Sequence, residues 1–353
     1  MGNDESQGIG IKEIAIKANV SIGTVDRVLN NRVGVSQKTK DKVLAIVKEF
    51  DYKPNIMARR LASKKIVKLA VLIPAVSTET GYWNAPLNGI NQAAEELSNF
   101  GVRIDKYFFD QNDRQTFDQQ MAAVFDKEYH GALLAPMFES ESKRFLVKCQ
   151  DKKIPTVLIN SDLNTTARIS YVGPDLFQSG YVAAHLSKYL ISEKQSALIV
   201  NISKEIDLHH HLLKKEEGFK AYFEKAGSDL SISKIDIRNT DYDSIKLALD
   251  KVMAAQKIDL VFVTNSRVAS VAKYFADRKI KNVKLIGYDF LEENVNYMKE
   301  NVIDFLICQK PQEQGYRGIM TLYQHLNGNA ENPETQYMPI DILTKENYQY
   351  YKN

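Results

Sequence analysis

Apolar residues recur at Ile11, Ile14, Ala15 and Ala18, the i, i+3, i+4, i+7 spacing of one helical face, and Asn19-Val20 interrupts the run. Ser21 can cap a second helix whose Val25, Val28 and Leu29 point inward. Ser36 can cap a third, in which Val43, Ile46, Val47 and Phe50 repeat the spacing. A helix, a turn of about three residues and a second helix form the helix-turn-helix layout. After Phe50 the segment Asp51-Tyr52-Lys53-Pro54 breaks the pattern, because proline disfavours helix at Lys53 but suits the first turn of a helix that follows. That helix is expected from about Asn55 to Ser63. Isolated helices below ~12 residues rarely persist in water, so it is a candidate hinge that folds on binding.

From Lys68 onward the period changes. Short apolar, β-branched runs stand at Leu69 to Ile73, Ile104 to Phe109, Ala132 to Ala135, Thr156 to Asn160, Ala197 to Asn201, Leu260 to Thr264, Lys284 to Tyr288 and Phe305 to Cys308. Amphipathic helical stretches lie between most of them, such as Asn84 to Phe100, Leu176 to Ile191 and Arg267 to Asp277. Strands in alternation with helices predict doubly wound α/β structure with parallel sheets covered on both faces. With this many strands, two sheets are expected. Ligands bind such sheets outside the carboxyl ends of strands, so the residues just after each run are candidate site residues.

At 353 residues the chain is long enough for two or three domains. Cys149 and Cys308 are too few for a disulfide framework, a four-thiolate zinc site or an iron–sulfur cluster, and a reducing compartment fits best. Met1 to Gly10 is polar and lacks the apolar core of a signal peptide. No stretch approaches the ~18 apolar residues of a membrane span, so the expected location is the cytoplasm. The net charge of +3 conceals an asymmetry: residues 1 to 65 carry 13 Lys+Arg against 7 Asp+Glu. A small basic module at the N-terminus suits contact with a polyanion, nucleic acid first, although a solvated basic surface accounts for the charge equally well.

Enzyme signatures fail on inspection. Gly8-Ile9-Gly10 begins like a dinucleotide loop, but no strand precedes it and Glu13 stands where the third glycine belongs. Neither cysteine sits beside a histidine. Adjacent histidines at His209-His210-His211 point in different directions on a helix and lack a matching acidic or thiolate ligand, so a solvated loop or a cleft polar group is expected there. The acidic pairs Glu95-Glu96, Glu216-Glu217 and Glu292-Glu293 are expected on solvated helix surfaces. No cofactor or metal is implied.

The residues Ile11-Lys12-Glu13-Ile14-Ala15, then Val20-Ser21-Ile22-Gly23-Thr24-Val25-Asp26-Arg27-Val28-Leu29-Asn30, and Pro54-Asn55 with Ala58 and Leu61 resemble LacI-type bacterial transcription regulators. Along the remaining chain Leu69 to Pro74, His130 to Pro136, Ile154-Pro155, Ser170 to Gly173, Gly218-Phe219 and Ile286-Gly287-Tyr288-Asp289 resemble landmarks of the sugar-binding-protein fold carried by that family. The resemblance implies a small all-α helix-turn-helix domain followed by an effector domain of two doubly wound parallel-sheet lobes, similar to periplasmic binding proteins of type I. A helix beginning at Ser21 presents its first residues to the major groove, while its N-terminus and the Ser21 and Thr24 hydroxyls can meet phosphates. Arg27 can bond guanine with both arms. In the family, residues matching Ile22, Gly23 and Arg27 read bases; Ile22 as core and Arg27 as an ordinary surface arginine are the alternatives. Asp26 departs from the family's common serine and would repel phosphate unless it accepts from cytosine or orients Arg27. By the resemblance Asn55, Ala58 and Leu61 belong to a hinge helix in the minor groove, with Leu61 as the wedge that unstacks a base step. A flexible linker is the alternative.

In the effector domain, Tyr82-Trp83 follows the first strand, and exposed adjacent aromatics at a cleft mouth suit stacking on a sugar; Trp83 is otherwise core. Asn160, Asn265, Asp289 and Gln309 each follow a strand, where they can bond vicinal hydroxyls or simply form turns. Lys215 stands where the family often has arginine, which puts the ligand contact there in doubt; His211, Arg168 and Arg267 are possible substitutes. The expected organisation is a headpiece over 1–53, a hinge over 54–67 and two lobes over 68–353. The first lobe takes about 68–173 and 309–332, the second about 174–308 and 333–353, with crossings near Gly173, Gln309 and Asn332. The expected function is a regulator, a repressor of transcription, that binds double-stranded operator DNA as a homodimer under control of a small effector, a sugar or sugar derivative. Alternatives are a solute-binding module of the same fold and, third, an enzyme on it.

Overall fold

Gly10, in extended conformation, starts α1 (Ile11–Ala18), and its N–H donates to the Glu13 carboxylate at 2.5 Å. Glu13 therefore closes the first helical turn in the manner of a capping residue. This geometry comes from a computed structural model that describes residues 10–29, 32–50, 52, 66–77, 80–163, 165–192, 194–206, 210–328 and 333–353. Asn19 ends α1 in the left-handed region at φ 53°, a conformation asparagine tolerates. Ser21 accepts from the Thr24 N–H at 3.1 Å at the head of α2 (Ile22–Leu29), and Ser36 accepts from the Thr39 N–H at the head of α3 (Gln37–Glu49). Ile14, Ala15, Ala18, Val25, Val28 and Val43 are buried together, with Leu29, Ile46 and Val47 packed against them. Phe50 sits outside this small core, under the Lys17 ammonium at 4.5 Å.

The chain divides after Lys65 into two units. The second begins with β1 (Val67–Pro74), α4 (Asn84–Ser98), β2 (Val102–Phe109), α5 (Arg114–Phe125), β3 (Gly131–Leu134), α6 (Glu139–Asp151), β4 (Thr156–Ile159) and β5 (Ser170–Gly173). A second lobe follows: α7 (Leu176–Leu190), β6 (Ser196–Ile202), α8 (His210–Ala226), β7 (Ser231–Ile237), α9 (Tyr242–Ala255), β8 (Leu260–Val263), α10 (Val268–Asp277), β9 (Lys284–Tyr288), α11 (Glu292–Lys299) and β10 (Phe305–Cys308). The chain returns to the first lobe for α12 (Pro311–Leu326) and β11 (Thr335–Tyr337), then ends in the second with β12 (Asp341–Leu343). The strand orders are β11-β5-β4-β3-β1-β2 and β12-β10-β9-β8-β6-β7.

Two expectations are corrected here. The last passage between lobes falls between Tyr337 and Asp341, not near Asn332, because Thr335–Tyr337 still pairs in parallel with β5. Nor are the sheets wholly parallel: β12 runs antiparallel to β10, pairing Leu343 with Leu306. Neither strand carries an apolar run that announces it.

In the second sheet, alternate residues feed opposite faces. Leu198, Val200 and Val261 pack on one side; Ala197, Ile199, Leu260 and Phe262 pack on the other. That two-sided burial makes the central strands read as continuous apolar runs. Helices come closest at two glycine pairs. A Cβ on Gly180 would lie 1.9 Å from the Lys215 carbonyl, and one on Gly218 would lie 1.9 Å from the Phe177 carbonyl, so α7 and α8 touch backbone to backbone. In the first lobe Gly89 and Gly315 let α4 and α12 do the same, with a Cβ on Gly89 1.8 Å from the Gln312 carbonyl.

Candidate functional site

On α2 the sequence places Ile22, Gly23 and Arg27 on the exposed side with Ser21 just before it, and Thr24 is half-buried. Ile22 is 45% exposed and so is no part of the core. The Ser21 and Thr24 hydroxyls share a hydrogen bond at 2.9 Å, which orders the start of the helix. Asp26 accepts from the Arg32 guanidinium at 3.3 Å, so a nearby cation offsets the charge that would otherwise repel phosphate. Asn30, Asn55, Ala58 and Leu61 lie outside the described residues.

In the second unit, Tyr82, Trp83, Asn160, Lys215, Asn265, Asp289 and Gln309 all line one chamber between the lobes. The reason is topological. The carboxyl ends of the strands of both sheets open onto the same cleft, so loops after β1 and β4 face loops after β8, β9 and β10. Lys215 comes instead from α8, pressed inward where Gly180 admits its backbone. His211 and Arg267 also line the chamber. Arg168 does not; it holds Asp162 with two nitrogens at 2.6 and 2.7 Å and the Glu334 carbonyl at 2.7 Å.

Several side chains differ in situation from the sequence expectation. Tyr82 and Trp83 are buried in the wall of the chamber, not exposed at its mouth; Trp83, 2% exposed, packs in the core and donates to the Gln111 side chain at 3.4 Å. Asn265 spends its amide on the local turn, donating to the Ile202 carbonyl at 2.7 Å and accepting from the Arg267 N–H at 3.2 Å. Gln309 donates to Ser179 at 2.9 Å, and Ser179 also bonds Tyr288. Asn160 donates to the Tyr82 hydroxyl at 2.5 Å. Glu216, expected on a solvated helix surface, is buried, where it accepts from Asn201 at 3.0 Å and Lys220 at 2.5 Å. Of the histidine run, His209 lies outside the described residues, while His211 takes the cleft position.

The electrostatics centre on two buried groups. Lys215, 4% exposed, donates to the Thr264 carbonyl at 3.2 Å and lies 3.6 Å from the Tyr288 ring centre. Burial pulls its pKa down to about 8, against the pull of the Asp289 carboxylate. Asp289 is 7% exposed, and among the described residues no donor reaches its carboxylate. Burial pushes its pKa up to about 6, with Lys215 opposing. A carboxylate with vacant lone pairs facing a cavity is a strong acceptor for ligand hydroxyls.

Other groups on this site carry no sequence signal of their own. Asn294 is fully buried; its amide donates to the carbonyls of Ser266, Tyr288 and Asp289 at 3.0–3.1 Å and accepts from the Ala269 N–H. It ties the loop after β8 to the loop after β9 and so positions Asp289. Thr80 of the first lobe and Ser266 of the second share a buried hydrogen bond at 3.0 Å, and Arg114 meets Glu205 across the cleft at 3.8 Å. These draw the lobes together.

A helix-turn-helix unit followed by two α/β lobes that meet over a polar chamber defines a ligand-binding regulator of DNA. The chain belongs to the lacI family of bacterial regulatory proteins: residues 10–55 match that family, and residues 69–330 match the periplasmic binding protein domain. It is similar to the HTH-type transcriptional regulator MalR of Streptococcus pneumoniae, 25% identical over 338 residues, 94% of this chain and 97% of that one. It is 31% identical to the protein named "Probable HTH-type transcriptional repressor ExuR" of Bacillus subtilis over 159 residues, a match that spans 44% of either chain. A solved structure described as a LacI transcriptional regulator from Bacteroides fragilis superposes with a TM-score of 0.74 at 28% identity, covering 82% of this chain and 100% of that one. The relatives are transcription regulators, not enzymes. Among the described residues no helix is long and apolar enough to cross a membrane, and no group of three His, Cys, Asp or Glu could hold a metal ion.

Proposed function

We propose that this regulator represses transcription as a homodimer whose affinity for a double-stranded operator is set by a small carbohydrate bound between the lobes. The observation that carries the ligand class is the chamber itself: a buried carboxylate at Asp289 with no donor among the described residues, an ammonium at Lys215 and the amide of Asn160 face one cavity walled by Tyr82 and Trp83. Vicinal hydroxyls satisfy such alternating acceptors and donors, and aromatic walls suit the C–H face of a pyranose.

On the DNA side, Ile22 and Gly23 enter the major groove with Arg27 as the guanine reader; the hinge, with Leu61 as the minor-groove wedge, takes residues 54–65 and not 54–67, since Ile66 belongs to the second unit and Val67 opens β1. One helix-turn-helix covers only a half-site, which is the reason for a dimer. A ligand that bridges Asn160 of one lobe and Asp289 of the other binds the closed form better, and closure shifts how the paired hinges are held. The coupling is reciprocal: a ligand that weakens operator binding binds the operator complex less tightly by the same factor. The test is a thermal-shift screen of sugars, followed by operator affinity with and without each stabilising sugar. Stabilisation together with altered operator affinity supports the reading; stabilisation with no effect on the operator sinks it.

A further inference from the structure

The interlobe cleft does not end at the chamber described above. A second cavity of about 590 Å³ adjoins it, against about 60 Å³ for the first. Thr80, Tyr82 and Asp289 line both, so they form the partition between an inner and an outer chamber. The outer chamber lies between the first turns of α4 and α12 in one lobe and of α11 in the other, with Ala85, Asn88, Gln312 and Asn296 on its walls.

The two chambers differ in charge. Lys215, Arg267 and His211 line the inner one. Among the described residues no lysine, arginine or histidine lines the outer one, whereas Glu292 and Glu293 do. Glu293 is exposed, yet partial desolvation holds its carboxyl above the ordinary range against the pull of Arg267. Asp289, more than nine-tenths buried and without a donor among the described residues, looks into both chambers.

Building on the carbohydrate reading, we propose that the effector is longer than a monosaccharide: a first sugar ring occupies the inner chamber and a second unit, neutral or cationic, occupies the outer one, with Asp289 accepting at the junction. The inner chamber, held narrow by the Thr80–Ser266 hydrogen bond, falls below the ~300–1,000 Å³ usual for ligand pockets and must widen to admit one ring, while the outer volume already lies within that range. Amide side chains at Asn84, Asn88 and Asn296 offer donors and acceptors for hydroxyls, and Phe290 offers an apolar face. A carboxylate or phosphate on the second unit would meet Glu292 and Glu293, opposed only by the Arg267 charge that reaches Glu293 from the inner chamber.

The experiment uses the full chain and thermal shift followed by calorimetry, with glucose, galactose, xylose and arabinose as single-ring probes. Maltose, cellobiose, lactose and xylobiose are the neutral two-ring probes, and cellobiouronic acid and the deacetylated dimer of chitosan carry opposite charges on two rings. The expected result is a two-ring ligand at least tenfold tighter than its own single ring, with the acidic dimer weaker than its neutral parent. Ala85→Trp, which pushes an indole into the outer chamber, should erase that advantage while any single-ring affinity stays within about twofold. Asn88→Trp, one turn along α4, repeats the test should the first variant fold poorly. Single rings binding as tightly as every dimer would overturn the two-chamber proposal and leave the carbohydrate reading intact. No shift from any probe would overturn both.

Discussion

The ammonium of Lys215 lies 3.6 Å from the centre of the Tyr288 ring, one residue before the carboxylate that shares its chamber. Ring and carbonyl together hold a buried cation that burial alone would expel, yet its pKa is still down to about 8 from an ordinary 10.5. Unfolded chains bind that proton more readily, so the cost to the native state is fully present below pH 8 and fades as pH rises toward 10.5. Lys215→Met should therefore raise the melting temperature at pH 7, by an amount that shrinks above pH 8, while the sugar response is lost. Equal melting curves for parent and variant at pH 7 would show that the ring and carbonyl offset the burial entirely.

Asp289 presents the opposite sign. Its pKa is raised to about 6 from 3.8, so the native state favours the protonated form, and the cost of the charge is absent below pH 4 and complete above pH 6. Asp289→Asn keeps the shape and tolerates the positive φ of 74° at this position. It should stabilise the ligand-free protein at pH 7 on the order of 1–3 kcal/mol, less at pH 5, and abolish the ligand response with ligand-free operator binding unchanged. Denaturant titrations at the two pH values read the first part; operator affinity with and without ligand reads the second.

Because the two groups attract each other, each single substitution also forfeits that attraction. The double variant Lys215→Met/Asp289→Asn forfeits it only once, and should gain more stability than the two single gains summed. Simple additivity would mean that the charges do not interact across the chamber.

Gly218→Ala tests the backbone contact that delivers Lys215. The new Cβ would stand 1.9 Å from the Phe177 carbonyl, so α7 and α8 must separate. Overpacking of this kind costs about 1–3 kcal/mol, and ligand affinity should fall with it as Lys215 moves. The same substitution at Gly227, where nothing lies within 4 Å but φ is +60°, should cost stability and leave ligand affinity unchanged. Loss of affinity in both variants would point to a global effect.

On the headpiece, Arg27→Ala should relax base preference at one position of each half-site, at about 1–3 kcal/mol for a two-armed guanine contact. Lys38 is exposed in the first turn of α3 and is expected to meet a phosphate, so Lys38→Ala should weaken binding evenly across sequences and flatten the salt dependence by about one counterion. A uniform loss in Arg27→Ala would demote that residue to a phosphate contact.

The sequence by itself determined the order of elements and the positions from which side chains could reach a cleft. Leu69 to Ile73 or Leu260 to Thr264 read as strands because both their faces are buried, and every side chain on them but that of Thr264 is apolar for that reason. Helix-turn-helix spacing was legible because a small three-helix core needs Ile14, Val25 and Val43 at helical intervals. Strands β7, β11 and β12 were not, since an edge or short strand with one wet face carries no continuous apolar run. Tertiary structure alone decided which polar groups stay available. Asn265 and Asp289 look alike as polar residues after strands, but one has its amide consumed by the Ile202 carbonyl and the other faces the cavity without a donor among the described residues. It also decided that Trp83 and Glu216 are buried and that Asn294 supports the site. Periodicity reports that a face is covered; only packing between distant segments specifies what covers it, and with which partners a buried polar atom is left.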